Sequence, residues 1–309
     1  MMEVLNTILP IVLITLSGYI VAKFKQLNNS EIATINKIVF NYLVPVLLFK
    51  SFSTAELPDT FQWEYLSAYY VSALIIYFLA VIIGKIFFGH SLKESGVFGL
   101  GAAYSNTVLI GIPVCYSVYG DEGLIPLFII ISIHSAVLFS VTTIMIGMSE
   151  RQDRVWLQLK KLFKSILLNP IIASLLMGLL FNILNISLPK SIFSALEMAS
   201  KAALPCSLFV LGASLSQYQI KHQILETSVI TMLKIIVFPI LVWIMVFKVF
   251  SIQPVWASVA VLTAAMPVGI NVYVFAKQYQ SCEVSVASSI VISTICSIGI
   301  ISWLIAYVL

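Results

Sequence analysis

Ten apolar stretches, each long enough to cross a bilayer, dominate this chain and leave little with which to build a soluble domain. A spanning helix needs about 20 mostly apolar residues, and such runs occur at roughly 4–22, 32–52, 64–88, 95–119, 123–147, 166–186, 190–215, 224–247, 254–279 and 284–307. Charged residues make up 10% of the 309, against about 25% in soluble domains. The expected fold is an all-α integral membrane protein with ten transmembrane helices. No Lys or Arg precedes the first run, MMEVLNTILP, and its apolar stretch exceeds a signal-peptide core, so it reads as helix one.

Basic residues set the expected orientation. Eleven fall in alternate connections (Lys23, Lys25, Lys85, Lys93, Arg151, Arg154, Lys160, Lys161, Lys164, Lys221 and Lys277), whereas only Lys50, Lys190 and Lys248 fall in the others. The first set belongs inside, which puts both termini outside and makes the net charge of +4 mainly a topology signal. The basic stretch RQDRVWLQLKKLFK reads as a solvated inner linker touching anionic lipid, not as a nucleic-acid site. Cys115, Cys206, Cys282 and Cys296 have none of the CxxC or Cys/His spacing of a local zinc motif and read as small packing residues, so no metal is expected.

An offset of 160 aligns Pro10 with Pro170, Gly18 with Gly178, Pro45 with Pro205 and Phe49 with Phe209. The chain therefore reads as two repeats, residues 1–147 and 166–309, joined by a linker at 148–165. Five helices per repeat is an odd number, which forces the second repeat into inverted topology.

Two runs contain helix breakers beside polar residues. The fourth, GVFGLGAAYSNTVLIGIPVCYSVYG, holds Gly101, Ser105, Asn106, Gly111 and Pro113; the ninth, VAVLTAAMPVGINVYVFAKQY, holds Pro267, Val268, Gly269 and Asn271. A proline inside a span frees backbone groups that must be satisfied by protein or by a wet cavity. Interrupted spans at matching places in two repeats point to a midplane binding site, and a buried Asn requires a partner.

SNTVLIGIPVCYSVYG resembles the Asn-Thr…Gly-Ile-Pro…Tyr-Gly signature of the auxin efflux carrier family; AAMPVGINVYVFAKQY and TINKIVFNYLVPVLLF resemble that family's ninth-helix and second-helix motifs. The likeness runs over nearly the whole chain. It implies a sodium/proton-antiporter-like fold in which broken helices four and nine cross. A scaffold (helices 1, 2, 6 and 7) would carry a transport domain (helices 3–5 and 8–10) in an elevator-type cycle. It further implies a substrate carboxylate at Asn106, with Pro267 facing Ser105 and Asn106. Ser105 stands where plant members commonly have Pro, and Leu48 where they have Ser, which leaves auxin-like and malonate-like cargoes both open.

A neutral Asn offers two N–H donors to a carboxylate. All three aspartates, Asp59, Asp121 and Asp153, lie outside the spans, which argues against cation exchange. A monoanion leaving a cell polarised by 100 mV gains roughly 2.3 kcal/mol, enough to drive export. Ionisable residues within spans are functional candidates by default. Glu197 and Lys201 read as an i,i+4 pair; Lys37 and Asn41, at the matching places of helix two, as packing or entry residues; Lys234 as a neutraliser of carbonyls freed at the crossing; His134 as core or cavity lining. No HExxH, GxSxG or mid-span Asp pair suggests an enzyme, and no cofactor is expected. The expected partners are a small organic anion, the lipid of a prokaryotic inner membrane and a second copy of the chain, homodimers being common on this architecture. An anion sensor or channel on the same scaffold is the alternative.

Overall fold

The computed structural model describes residues 2–55, 62–150, 155–218 and 223–309. Asp59, Arg151, Asp153, Arg154, Lys221 and His222 lie outside them, as does part of the expected linker. Among the described residues the protein is helical throughout, with no strand. The helices are α1 (Met2–Lys23), α2 (Asn29–Ile38), α3 (Val44–Ser53), α4 (Trp63–Phe87), α5 (Leu92–Ala103), α6 (Ile112–Tyr119), α7 (Leu124–Glu150) and α8 (Val155–Leu167). They continue as α9 (Pro170–Ile183), α10 (Lys190–Leu215), α11 (Ile224–Met232), α12 (Phe238–Ile244), α13 (Pro254–Ala265), α14 (Ile270–Gln278) and α15 (Glu283–Tyr307). Among the described residues, seven helical stretches are long and apolar enough to cross a membrane, or eight if α8 and α9, bent by 53°, form one span. The chain is a multi-pass, all-α membrane protein.

Local sequence explains the helix ends. At the start of α2, Asn28 Oδ1 accepts from the Ser30 and Glu31 N–H groups while Glu31 Oε2 accepts from the Asn28 N–H at 2.7 Å. Ser91 and Glu94 form the same reciprocal cap on α5. The prolines act less simply than as kinks. Wide π-turns at Val39–Leu43, Thr107–Gly111 and Leu233–Val237 lead directly into Pro45, Pro113 and Pro239. In each, the N–H preceding the proline reaches five residues back: Val44 to Val39, Ile112 to Thr107 and Phe238 to Leu233. A wider turn relieves the clash of the proline ring with the carbonyl four residues earlier and keeps the helix continuous.

Packing is closest at glycines. Gly18 faces the Phe209 carbonyl and Gly212 the Thr15 carbonyl so tightly that a methyl group at either would overlap the opposite backbone, locking α1 to α10. Gly178 of α9 meets α3 in the same way: a methyl group there would lie 2.7 Å from the Phe49 carbonyl oxygen. Without a hydrophobic drive between helices in lipid, such small-residue contacts are what hold spans together. The stretch read as a linker, 148–165, is helical where described: α7 runs on to Glu150, and α8 covers Val155–Leu167. Lys160, Lys161 and Lys164 accompany exposed Trp156, Leu157, Phe163 and Leu167, the composition of a helix lying in the membrane interface.

Candidate anion-binding site at paired helix breaks

Between α5 and the π-turn that leads to α6, residues 104–106 leave helical geometry; between α13 and α14, residues 266–269 do the same. The two breaks meet in an antiparallel bridge, Ser105 with Val268. Several main-chain groups that lose their helical partners find others. The Asn106 N–H donates to the Pro267 carbonyl at 2.9 Å, and the Gly269 N–H to the Tyr104 carbonyl at 3.0 Å. The Ser105 N–H donates to His134 Nε2 at 3.1 Å, and the Val268 N–H to Ser293 Oγ at 3.0 Å. The Ala264 carbonyl, which Val268 would have served in an unbroken helix, accepts from Lys234 Nζ instead. Lys234 is fully buried, with Nζ also 4.8 Å from the centre of the Phe238 ring. A donor at the C-terminal end of a half-helix meets the partial negative charge of its last carbonyls.

A polar cavity of about 50 Å³ lies against the paired breaks, lined by Asn36, Phe40, Tyr104, Ser105, Asn106, Thr107, Gly269, Ile270 and Asn271 among others. Through Asn36 and Ile270 it adjoins a recess of about 500 Å³ that also carries Gln217, Tyr218, Tyr273 and Lys277. Asn106 is 7% exposed and its Nδ2 has no hydrogen-bond partner. A buried amide left unpaired costs about 1–3 kcal/mol, and such a group calls for a specific reason. Asn36 Oδ1 is likewise buried without a partner. Asn271 reaches towards the Tyr104 hydroxyl at 3.5 Å, and that hydroxyl also meets Ser135 Oγ at 2.7 Å.

The residues expected from sequence divide into three groups. Asn106, Ser105, Gly269 and Asn271 line the cavity, with Gly111 and Pro113 just beyond on the π-turn and α6. His134, Pro267 and Val268 stand behind the breaks and do not line the cavity. His134 is fully buried and its Nε2 accepts the Ser105 N–H, so the ring is neutral there, with its proton on Nδ1. Lys234 also stands behind the breaks, donating to the Ala264 carbonyl, whereas Lys37, Asn41, Glu197 and Lys201 do not line the cavity. Glu197 and Lys201 form an ion pair of 2.9 Å on an exposed face of α10, Lys37 is exposed and Asn41 is half-buried. The face that reaches the cavity is one residue round, at Asn36 on α2 and Phe40 on the π-turn that follows. Orphaned Asn36 is the member of this site that sequence reasoning missed; its position four residues before Phe40 was the available signal.

Gly269 gives this junction a direct test. A methyl group there would lie 2.6 Å from the Tyr104 ring. That ring cannot swing away, being stacked on Phe139 at 4.9 Å and packed on His134 at 4.5 Å between ring centres. Gly269→Ala is expected to cost about 1–3 kcal/mol by overpacking, seen as a lowered melting temperature of the purified protein. Gly111→Ala, whose added carbon would sit 3.6 Å from Leu127, is expected to be neutral.

Residues 3–305 match the family described as "Membrane transport protein". A protein of Rhizobium meliloti (strain 1021) named "Putative malonate transporter" is 23% identical, over 98% of this chain and 95% of its own length. "Auxin efflux carrier component 8" of Arabidopsis thaliana is 23% identical, over 90% and 89%. "Lysosomal cholesterol signaling protein" of Mus musculus is 23% identical over 95% of this chain but only 36% of its own.

Proposed function

Since the chain belongs to the membrane transport protein family, the auxin efflux carriers among it, and is a transporter rather than an enzyme, we propose that it carries a small organic carboxylate bound at Asn106 between the two breaks. One observation carries this reading: the amide nitrogen of Asn106 is buried with no hydrogen-bond partner, in a residue that lines the cavity between the breaks. A carboxylate accepts such donors, and a hydrogen bond to a charged group contributes about 1.5–3 kcal/mol. That is strong enough for recognition and weak enough for release. The names of the Rhizobium and Arabidopsis relatives favour a malonate-like or auxin-like acid.

We further infer ten spans in two inverted repeats. Thr107–Met148 counts as one stretch by length and hydropathy although Gly120–Gly123 interrupts it; dividing it there, and taking each broken pair as one span, gives five per repeat. The glycine contacts support the symmetry. Gly18 against Phe209 and Gly178 against Phe49 are the same contact exchanged between repeats at the offset of 160.

The elevator reading takes α1–α3, α9 and α10 as scaffold and α4–α7 with α11–α15 as the moving part, with α8 in the connection between repeats. An apolar crevice of about 420 Å³ separates α1 and α10 from α6 and α15, a loose boundary suited to sliding. With both termini outside the inner membrane, as the basic residues favour, the 500 Å³ recess opens to the cytoplasm, where an exporter loads. A second reading, a membrane-embedded sensor of the same anion, draws support from the signalling relative in mouse.

The test is reconstitution in liposomes and current recording on a solid-supported membrane with malonate, acetate and indole acetate. A saturable current with at least one of them is expected. Saturable binding without current would favour the sensor, and neither binding nor current with any carboxylate would overturn the anion site.

A further inference from the structure

Away from the cavity, three potential metal ligands converge from distant parts of the chain. His90 lies in the turn between α4 and α5, Glu226 in the first turn of α11 and Cys282 immediately before α15, and their donor atoms all fall within 4.8 Å of one another. His90 Nε2 is 3.3 Å from Glu226 Oε1, with the two side chains 10% and 16% exposed. Nothing in the proposed transport cycle uses them.

We propose that His90, Glu226 and Cys282 form a binding site for one divalent transition-metal ion of the zinc class. Zinc takes imidazole, carboxylate and thiolate ligands at about 2.0–2.3 Å in tetrahedral geometry, which sets neighbouring ligand atoms roughly 3.3–3.8 Å apart. The His90–Glu226 separation already meets that, and the thiol has at most about an ångström to close. Ligand chemistry selects the class: magnesium and calcium want oxygen throughout, whereas a mixed nitrogen, oxygen and sulfur set suits zinc or cobalt.

A His–carboxylate tether alone does not account for the cluster. It gives no reason for a thiol beside the pair. Nor does it explain why Cys282 holds a left-handed backbone, φ 51°, at the start of a helix, a conformation that costs a non-glycine residue about 1–3 kcal/mol.

Without metal the Cys282 thiol donates to the Glu94 carbonyl at 3.5 Å, and burial pushes it up to about 12. Binding the ion replaces that weak S–H contact with a sulfur–metal bond and releases the thiol proton to solvent. The Glu94 carboxylate stays outside the ligand set. It accepts the Ser91 N–H at 2.8 Å, and that N–H together with the Ser91 hydroxyl holds it below the usual carboxylate range. A fourth position is left for water. Because the three ligands come from the α4–α5 turn, α11 and α15, the ion ties these elements to one another and leaves α1 and α10 free.

Cobalt(II) titrated into the purified, chelator-treated full-length protein tests this. The expected result is one equivalent bound, with tetrahedral visible bands and a thiolate-to-cobalt charge-transfer band, reversed by zinc. Cys282→Ala should lose the charge-transfer band and Cys296→Ala, at an exposed position of α15, should keep it. No thiolate band in the wild type, or one that survives Cys282→Ala, overturns the site. Should Cys282→Ala fail to fold, Glu226→Gln decides: the site requires the band retained with cobalt affinity at least tenfold weaker, and unchanged affinity overturns it.

Discussion

Asn106→Ala should sharply lower carboxylate transport while leaving the protein as stable as before, or more so. The two effects part because Asn106 Nδ2 makes no hydrogen bond within the protein, while the residue lines the cavity. Losing charge-assisted hydrogen bonds worth about 1.5–3 kcal/mol lowers transport at sub-saturating ligand roughly ten- to hundredfold. Removing a buried, unpaired amide relieves a desolvation cost of similar size. The Asn106 N–H bond to the Pro267 carbonyl, which joins the breaks, is main-chain and survives the substitution. Asn106→Asp should be worse for transport, since it sets a carboxylate against a carboxylate. Melting temperature and carboxylate current on the same preparations check the pair of expectations. If stability and transport fall together in Asn106→Ala, the residue is structural and the proposed anion site is wrong.

Gly212→Ala is expected to have the largest effect on assembly. The added methyl group would overlap the Thr15 carbonyl, a backbone atom that no rotamer change can move aside. The helices must separate along their length, losing the close packing that stands in for the hydrophobic effect within lipid. A loss of about 3 kcal/mol, the upper end for overpacking, should appear as aggregation on size exclusion or a sharply lowered unfolding midpoint. Gly18→Ala and Gly178→Ala should cost amounts comparable to one another if the repeats are equivalent, because Gly178 makes against Phe49 the contact that Gly18 makes against Phe209. Gly299→Ala, on α15 with open space where its side chain would point, is the neutral control.

The positions of the breaks were legible in the sequence because Pro267, Gly269, Ser105 and Asn106 cannot continue a helix in lipid without consequence. Lys234 could be associated with them for a related reason, as a buried cation close to a proline. Lys37 and Asn41 stand out in the sequence as an ionisable residue within a span and its neighbour, at the places matching Glu197 and Lys201; that Asn36 and Phe40 line the cavity instead depends on the rotation of this helix, which packing fixes in three dimensions. His134 could be recognised as buried, but not as the acceptor behind Ser105, since that contact joins residues 29 apart on different helices. The cluster of His90, Glu226 and Cys282 escaped for a stronger version of the same reason. Spacing rules for metals detect ligands that are neighbours in sequence, and these become neighbours only when α4, α11 and α15 are packed.

The junction of the two breaks is made from main-chain atoms: the Asn106 and Gly269 N–H groups and the carbonyls of Pro267 and Tyr104. Every residue carries a carbonyl, and all but proline an N–H, so this connection places little demand on which side chains surround it. Substitutions can therefore accumulate in the cavity wall without dismantling the crossing. Ligand preference is free to drift over evolutionary time while the architecture persists, as the disparate names attached to relatives sharing only 23% of their residues with this chain would require.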